Sequence, residues 1–249
     1  MASVINSYLT KEVNALPFEE ESATSVQPRA GAYEWIKLCA DFTSAFFMLV
    51  LALPIVVTGA ILVRLTSRGP AIYSQVRLGR GGRPFRIYKL RTMYHKCENG
   101  TGPQWCAIGD PRVTPVGRLL RKTHIDELPQ LWNVLRGDMS LIGPRPERPE
   151  IIDELERHLA GYRCRLLVKP GVTGLAQIQL PSDTCIQSVR EKLILDLCYV
   201  ERCGALLDIR ILIGTALYLA GISYGGVRKA MALPTGRFEG NLQPIPLKG

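Results

Sequence analysis

The chain has 249 residues, a formal net charge of +9 and a hydrophobic fraction of 47%. That length supports one good-sized domain with appendages, and the composition is ordinary for a globular protein. The positive excess favours an anionic partner, whether nucleic acid, acidic lipid headgroups or phosphorylated small molecules, although a merely solvated basic surface also accounts for it.

Residues 1–32 are polar and lean acidic, with Glu19, Glu20, Glu21, Ser22, Thr24 and Pro28. They carry no charged-then-apolar-then-small signal pattern. They are expected to form a flexible tail, or else to fold back on the domain. Residues 42–63 contain no charge. As a helix rising about 1.5 Å per residue, they are long enough to cross a hydrocarbon core of about 30 Å. Lys37 precedes the stretch and Arg64 and Arg68 follow it, so the positive-inside rule gives no orientation. Pro54 lacks a backbone donor near the middle, where a kink would return the helix to its starting face. Physics alone favours a straight span, with the re-entrant form and a buried core helix as alternatives.

From Pro70 to Met93, strand-like pieces flank a Gly79-to-Gly82 turn (GRGG). Arg77, Arg80, Arg83, Arg86, Lys89 and Arg91 make this stretch basic. It reads as a solvated hairpin or as a surface for phosphates and headgroups. Nucleic-acid binding needs exposed aromatics between the bases, and the aromatics here read as core. Residues 94–112 are loop-like, either a lid or an inert excursion.

Asp126 and Glu127 then open a run (DELPQLWNVLR) that predicts a helix capped by Asp126, with Pro129 in its first turn. Leu128, Leu131, Trp132 and Leu135 would share its apolar face. Arg118, Arg121, Lys122, Arg145 and Arg148 would gather near the acids if the flanking segments fold back. Acids beside arginines suggest a divalent metal and a phosphorylated ligand handled together.

Pro149 to Leu166 reads as an amphipathic helix, Lys169 to Gly174 as turn-rich, and Ser188 to Tyr199 as another helix. The apolar stretch 209–220 carries Arg210 and is short for a span, so it reads as an interfacial or core helix. From Gly221 onward the proline content suggests a loosely held tail. The seven cysteines are an odd set with no CxxC pair, which argues against a disulfide framework or structural zinc and fits a reducing cytosolic face.

The run from Asp126 to Arg148 resembles the catalytic core of the bacterial sugar transferases, the small monotopic phosphoglycosyl transferases. Their hallmark is an Asp-Glu dyad in a Leu-Asp-Glu-Leu-Pro-Gln-like run, followed by Gly-Asp-Met-Ser-Leu-Ile-Gly-Pro-Arg-Pro. The segments Gly69–Gly79 (GPAIYSQVRLG), Phe85–Met93 (FRIYKLRTM) and Lys169–Gln177 (KPGVTGLAQ) match the family as well. The resemblance covers roughly Lys37 to Thr215.

The resemblance implies an α/β (α+β) monotopic membrane protein. A re-entrant helix (33–67) would follow the tail (1–32) and pack on a mostly helical cytosolic catalytic domain (68–220) with a small β-hairpin. The C-terminal tail would be 221–249. It implies transfer of a sugar 1-phosphate from a UDP-sugar to a membrane polyprenyl (undecaprenyl) phosphate, with release of UMP, at the cytoplasmic face of the bacterial plasma membrane. Asp126 is the implied nucleophile, forming an aspartyl-phosphosugar intermediate, and Glu127 with Asp126 the implied Mg²⁺ site. Arg121, Arg145 and Arg148 are implied phosphate contacts, as is one of Lys89 and Arg91. Thr173 and Gln177 are implied to line the nucleotide pocket. Membrane lipid is an expected partner and nucleic acid is not. A homodimer stays open, as does the sugar.

The sequence also departs from its relatives. Thr123, His124 and Ile125 stand where many relatives have Ser-Leu, and only Lys37 remains of an early basic pair. His124 either tunes the site or is a packing or surface residue. Asp41 is expected to anchor the membrane hairpin by pairing with a nearby base. Compared with larger members that carry additional spans, the chain resembles the minimal form. The alternative readings are a non-catalytic membrane-anchored assembly partner and a basic peripheral protein that binds anionic lipid without chemistry.

Overall fold

A computed structural model describes residues 31–97, 109–159, 161–181 and 185–235. Residues 1–30 of the expected 1–32 tail, residues 236–249 of the expected 221–249 tail, and residues 98–108 of the 94–112 loop lie outside the described residues.

Helix α1 (Ala32–Thr66) takes in the whole charge-free stretch and continues through Pro54. Beyond that proline the Thr58 hydroxyl donates to the Pro54 carbonyl at 2.8 Å. One stripe is buried, made of Asp41, Ala45, Ala52, Gly59 and Val63. Small residues at every seventh position let the domain approach closely. A Cβ on Gly59 would stand 2.8 Å from Leu90 Cδ1. The remaining faces expose Trp35, Phe42, Phe47, Leu51, Ile61 and Leu65. From Asp41 to Val63 the contact stripe runs about 33 Å at the helical rise.

Strands β1 (Ile72–Leu78) and β2 (Pro84–Leu90) form the expected antiparallel hairpin, with Ile72 opposite Leu90 and Leu78 opposite Pro84. Gly81 and Gly82 supply the positive φ its turn needs. Past it, an antiparallel bridge between Met93 and Val113 closes the base of the 94–112 excursion. Helix α2 (Pro115–Lys122) is capped by Thr114, whose hydroxyl accepts from Gly117 N at 2.9 Å.

The dyad segment departs from the single capped helix predicted. Ile125–Glu127 is a 3-10 turn, and helix α3 (Gln130–Leu135) begins only after Pro129. Pro129 cannot donate to Ile125, so the winding stays tight, with Leu128 N bonded to Ile125 O and Leu131 N to Leu128 O. Asp126 therefore lies inside the turn and is no cap. Leu131 and Val134 are buried, whereas Trp132 is 51% exposed and leaves the predicted apolar face.

Strand β3 (Ser140–Ile142) pairs in parallel with β4 (Gly171–Thr173). Here glycines are required by close approach. A Cβ on Gly143 would stand 2.3 Å from the Lys169 carbonyl, and one on Gly174 2.1 Å from the Gly143 carbonyl. The helix predicted over 149–166 is split into α4 (Pro149–His158) and a 3-10 helix (Tyr162–Leu167). Gly161 takes φ 72° between them, a helix-ending conformation. Helix α5 (Ile186–Arg202) contains the predicted 188–199 segment, and α6 (Ala205–Leu219) the short apolar stretch. The predicted loose tail is also corrected within 221–235, where α7 (Tyr224–Ala230) buries Val227 and is followed by buried Leu233.

The main core joins α3, β3 and the segment after β4 to α5 and α6, through Leu131, Met139, Ile142, Leu175, Tyr199 and Ile211. A second cluster packs α4 against α5, and a third holds α1 to β2 and α2 through Val63, Leu90 and Leu120. The architecture is mixed, with helices around two small sheets and one long apolar amino-terminal helix.

Candidate active site

Several elements converge on the dyad. Residue His124 takes φ 55°, a left-handed conformation uncommon outside glycine, and turns the chain from α2 into the 3-10 turn. Asp126 is then 7% exposed. Helix α3 is fixed to β2 by Asn133, which donates to the Arg86 carbonyl at 2.7 Å and accepts from Tyr88 N at 3.2 Å. That register sets Lys89 beside Glu127, its Nζ donating to Oε1 at 2.6 Å. Arg145, leaving β3 between two prolines, donates to the same oxygen at 2.8 Å.

The two acids differ in state. Burial alone would raise Glu127, but Arg145 and Lys89 outweigh it and hold its carboxyl well below the usual carboxylate range. Burial, followed by the neighbouring Glu127 charge, pushes Asp126 up, against Lys89, Arg121 and His124. Burial and Arg145 lower Lys89. Among the described residues Asp126 accepts no hydrogen bond. Glu127 is thus a fixed anion, and Asp126 a sheltered carboxyl whose oxygens accept no hydrogen bond among the described residues.

Of the other candidates, Arg121 is brought near. Its Nε donates to Thr92 Oγ1 at 2.8 Å, and its charge acts on Asp126. Arg148 opens α4, with Nε 3.7 Å from Glu150 Oε2, and shares a cationic neighbourhood with Arg77 and Arg145. Arg91 goes elsewhere. It is buried and donates to the Ser67 and Arg68 carbonyls and to Ser67 Oγ, closing the end of α1. Thr173 pairs with Thr215 at 2.8 Å, and neither it nor Gln177 hydrogen-bonds to the dyad. The Gln177 amide is buried, with neither its N nor its O partnered among the described residues. His124 is exposed, edge-on to Tyr218 at 5.8 Å, and Tyr218 stacks on Tyr224 at 5.1 Å.

Asp41 behaves as an anchor, although its strongest partners are not bases. It accepts from Ser140 Oγ at 2.7 Å and Leu141 N at 3.3 Å, with Lys37 3.8 Å away. Lys37 binds Asp208 more closely, at 2.7 Å, and Tyr33 and Tyr199 donate to the same carboxylate.

Sequence reasoning missed Arg165. Buried in the second 3-10 helix, it donates to the Arg145 carbonyl at 2.9 Å and to Asp196 Oδ2 at 2.6 Å. Burial pushes Asp196 up to about 6, against the pull of Arg165. The available signal was Asp196 itself, an acid on the apolar side of α5 beside Leu193 and Leu197, which demands a buried cation.

The described residues contain no group of three or more His, Cys, Asp or Glu side chains able to hold a metal. Magnesium does not need one. It commonly takes one or two carboxylates and fills its sphere with water and phosphate oxygens. Asp126, with both oxygens free, and Glu127 next to it fit that mode.

The sequence profile of the bacterial sugar transferase family matches residues 32–221. An Aeromonas hydrophila UDP-N-acetylgalactosamine-undecaprenyl-phosphate N-acetylgalactosaminephosphotransferase is 39% identical over 85% of this chain and 49% of its own length. A Caulobacter vibrioides UDP-glucose:undecaprenyl-phosphate glucose-1-phosphate transferase is 41% identical over 72% of this chain and 67% of its own. An Escherichia coli protein of the same name is 36% identical over 84% and 44%. The chain thus spans about half the length of the first and third of these relatives. It belongs to the bacterial sugar transferase family.

Proposed function

We propose that this member of the bacterial sugar transferase family transfers a sugar 1-phosphate from a UDP-sugar to a polyprenyl phosphate such as undecaprenyl phosphate, releasing UMP. The observation that carries this reading is the unequal dyad. A nucleophile in phosphoryl transfer must be ionised, shielded and uncommitted, and its neighbours must absorb the substrate's charge. Asp126 is shielded and, among the described residues, accepts no hydrogen bond, while Lys89, Arg121 and His124 favour its ionised form against the burial and the Glu127 charge that oppose it. Lys89, Arg121 and Arg145 meet the second demand, with Arg148 at the rim.

In the first half-reaction an Asp126 oxygen attacks the β-phosphorus of the UDP-sugar. The bond from that phosphorus to the bridging oxygen breaks, UMP leaves with the electron pair, and a sugar-phosphoryl-aspartate remains. In the second, a phosphate oxygen of the polyprenyl phosphate attacks the same phosphorus, and the Asp126 carboxylate is released. Glu127 stays ionised throughout and orients Lys89 and Arg145 toward the phosphates. Magnesium held by Asp126 and Glu127 would supply further neutralisation of phosphate charge.

The acceptor lives in a membrane, and α1 supports a membrane-bound enzyme. One face of α1 lies along the domain for most of its length while the others stay apolar and exposed. A helix crossing the bilayer would carry charged elements such as β2 and α2 into hydrocarbon, at high cost. That favours a re-entrant or in-plane placement of α1, with the domain on the cytoplasmic face. The donor sugar is left to experiment, because relatives named for N-acetylgalactosamine and for glucose match comparably.

The test is UMP release by purified protein in nanodiscs, with Mg²⁺, polyprenyl phosphate and a panel of UDP-sugars. Release with one sugar, absent in Asp126→Asn, is the expected result. Silence across the panel from folded protein would favour a non-catalytic assembly partner.

A further inference from the structure

A cavity of about 460 Å³ lies where α5 ends and α6 begins, lined by Arg202, Leu206, Leu207, Arg210 and Pro234. Neither arginine takes part in a hydrogen bond or ion pair among the described residues. Asp208, the nearest acid on α6, is already engaged by Tyr33, Lys37 and Tyr199. The cavity therefore presents two unspent guanidinium groups against an apolar wall.

That wall continues outward. Leu206, Ile209, Leu212 and Ile213 are exposed along α6. Because Tyr33 and Lys37 of α1 bind Asp208 in the first turn of α6, the exposed apolar surfaces of the two helices start side by side. The polar network at that junction marks where a membrane surface would meet the protein. Arginines at such a level extend their heads to lipid phosphates while their stems stay among the chains.

We infer that the Arg202–Arg210 cavity binds the headgroup phosphate of an anionic phospholipid, with the acyl chains lying along α6. The site is separate from the reacting one. Tyr218, which touches His124 beside the dyad, is thirteen residues along α6 from Ala205, or roughly 20 Å at the helical rise. A free phosphate would gain nothing from the leucine wall, whereas a lipid uses both surfaces. The inference rests on the membrane placement proposed above.

The test is native mass spectrometry of the full chain in nonionic detergent, with added phosphatidylglycerol or phosphatidylcholine. Phosphatidylglycerol should be retained several-fold over phosphatidylcholine. The preference should vanish in Arg202→Gln/Arg210→Gln and persist in Arg83→Gln/Arg86→Gln, which removes the same charge from the exposed hairpin. UMP release should be unchanged in both variants, which also establishes that they fold. Equal retention of the two lipids, or a preference that survives in the cavity variant, overturns the site. Displacement of the lipid by millimolar inorganic phosphate also overturns it, in favour of a small-anion site. Retention of neither lipid overturns both the site and the membrane placement.

Discussion

Replacing Arg165 by Met tests how the candidate site is braced from behind. The substitution keeps an unbranched stem of similar volume but removes the cation facing buried Asp196 and the donor to the Arg145 carbonyl. Breaking a buried ion pair by removing one partner costs about 3–5 kcal/mol, because the remaining charge is uncompensated. The lost bond to a neutral carbonyl adds about 1 kcal/mol. For a chain of this size each kcal/mol moves Tm by about 2–4 °C, so thermal unfolding should show a drop of roughly 10 °C or more.

The deficit should depend on pH. Burial pushes Asp196 up to about 6 against the pull of Arg165, and without that pull it would go higher. A carboxyl whose pKa is raised by folding binds its proton more tightly folded than unfolded. The variant should therefore regain stability relative to the parent as pH falls through that region. Adding Asp196→Leu should restore most of the lost stability, since a buried pair replaced by apolar groups is often neutral. UMP release should stay depressed in the double variant, because the Arg145 backbone still lacks its donor. A single variant as stable as the parent, or a double variant no better than the single, would refute this reasoning.

Asp126→Asn should abolish UMP release with no loss of Tm, since it removes a buried charge that folding disfavours. For the same reason the acid limb of the activity profile should lie above the ordinary carboxylate value, as activity needs Asp126 ionised. Arg91→Gln should cost about 1–3 kcal/mol of stability for carbonyls left unpaired at the end of α1, seen as a lowered Tm, while UMP release per folded molecule is kept. Gly143→Ala should separate β3 from β4, costing about 1–3 kcal/mol or more, and should depress turnover through the displaced Arg145. Circular dichroism melts and a coupled UMP assay read all of these.

Signals legible in the sequence were local or compositional. The charge-free run became α1, the GRGG turn became the hairpin loop, and the dyad with Lys89 and Arg145 formed one cluster. What escaped depended on contacts distant in sequence or on fine backbone chemistry. Pro129 turned an expected capped helix into a 3-10 turn, and Gly161 broke a periodic pattern that looked continuous. Arg91 follows Lys89 by two residues, and the resemblance gave a phosphate contact to one of the two without deciding which. The strand ends at Leu90, and Arg91 turns instead to the carbonyls of Ser67 and Arg68. Arg165 and Asp196 find each other only through the packing of α5, and α7 was hidden by surrounding glycines and prolines.

The most direct test of the central claim omits the acceptor. Wild-type protein mixed with the preferred UDP-sugar and Mg²⁺, but no polyprenyl phosphate, should release UMP stoichiometric with protein. It should gain the mass of a sugar phosphate on the peptide containing Asp126. UMP appearing only when polyprenyl phosphate is present, with no mass gain on that peptide, would contradict the account and point to direct transfer between the two substrates.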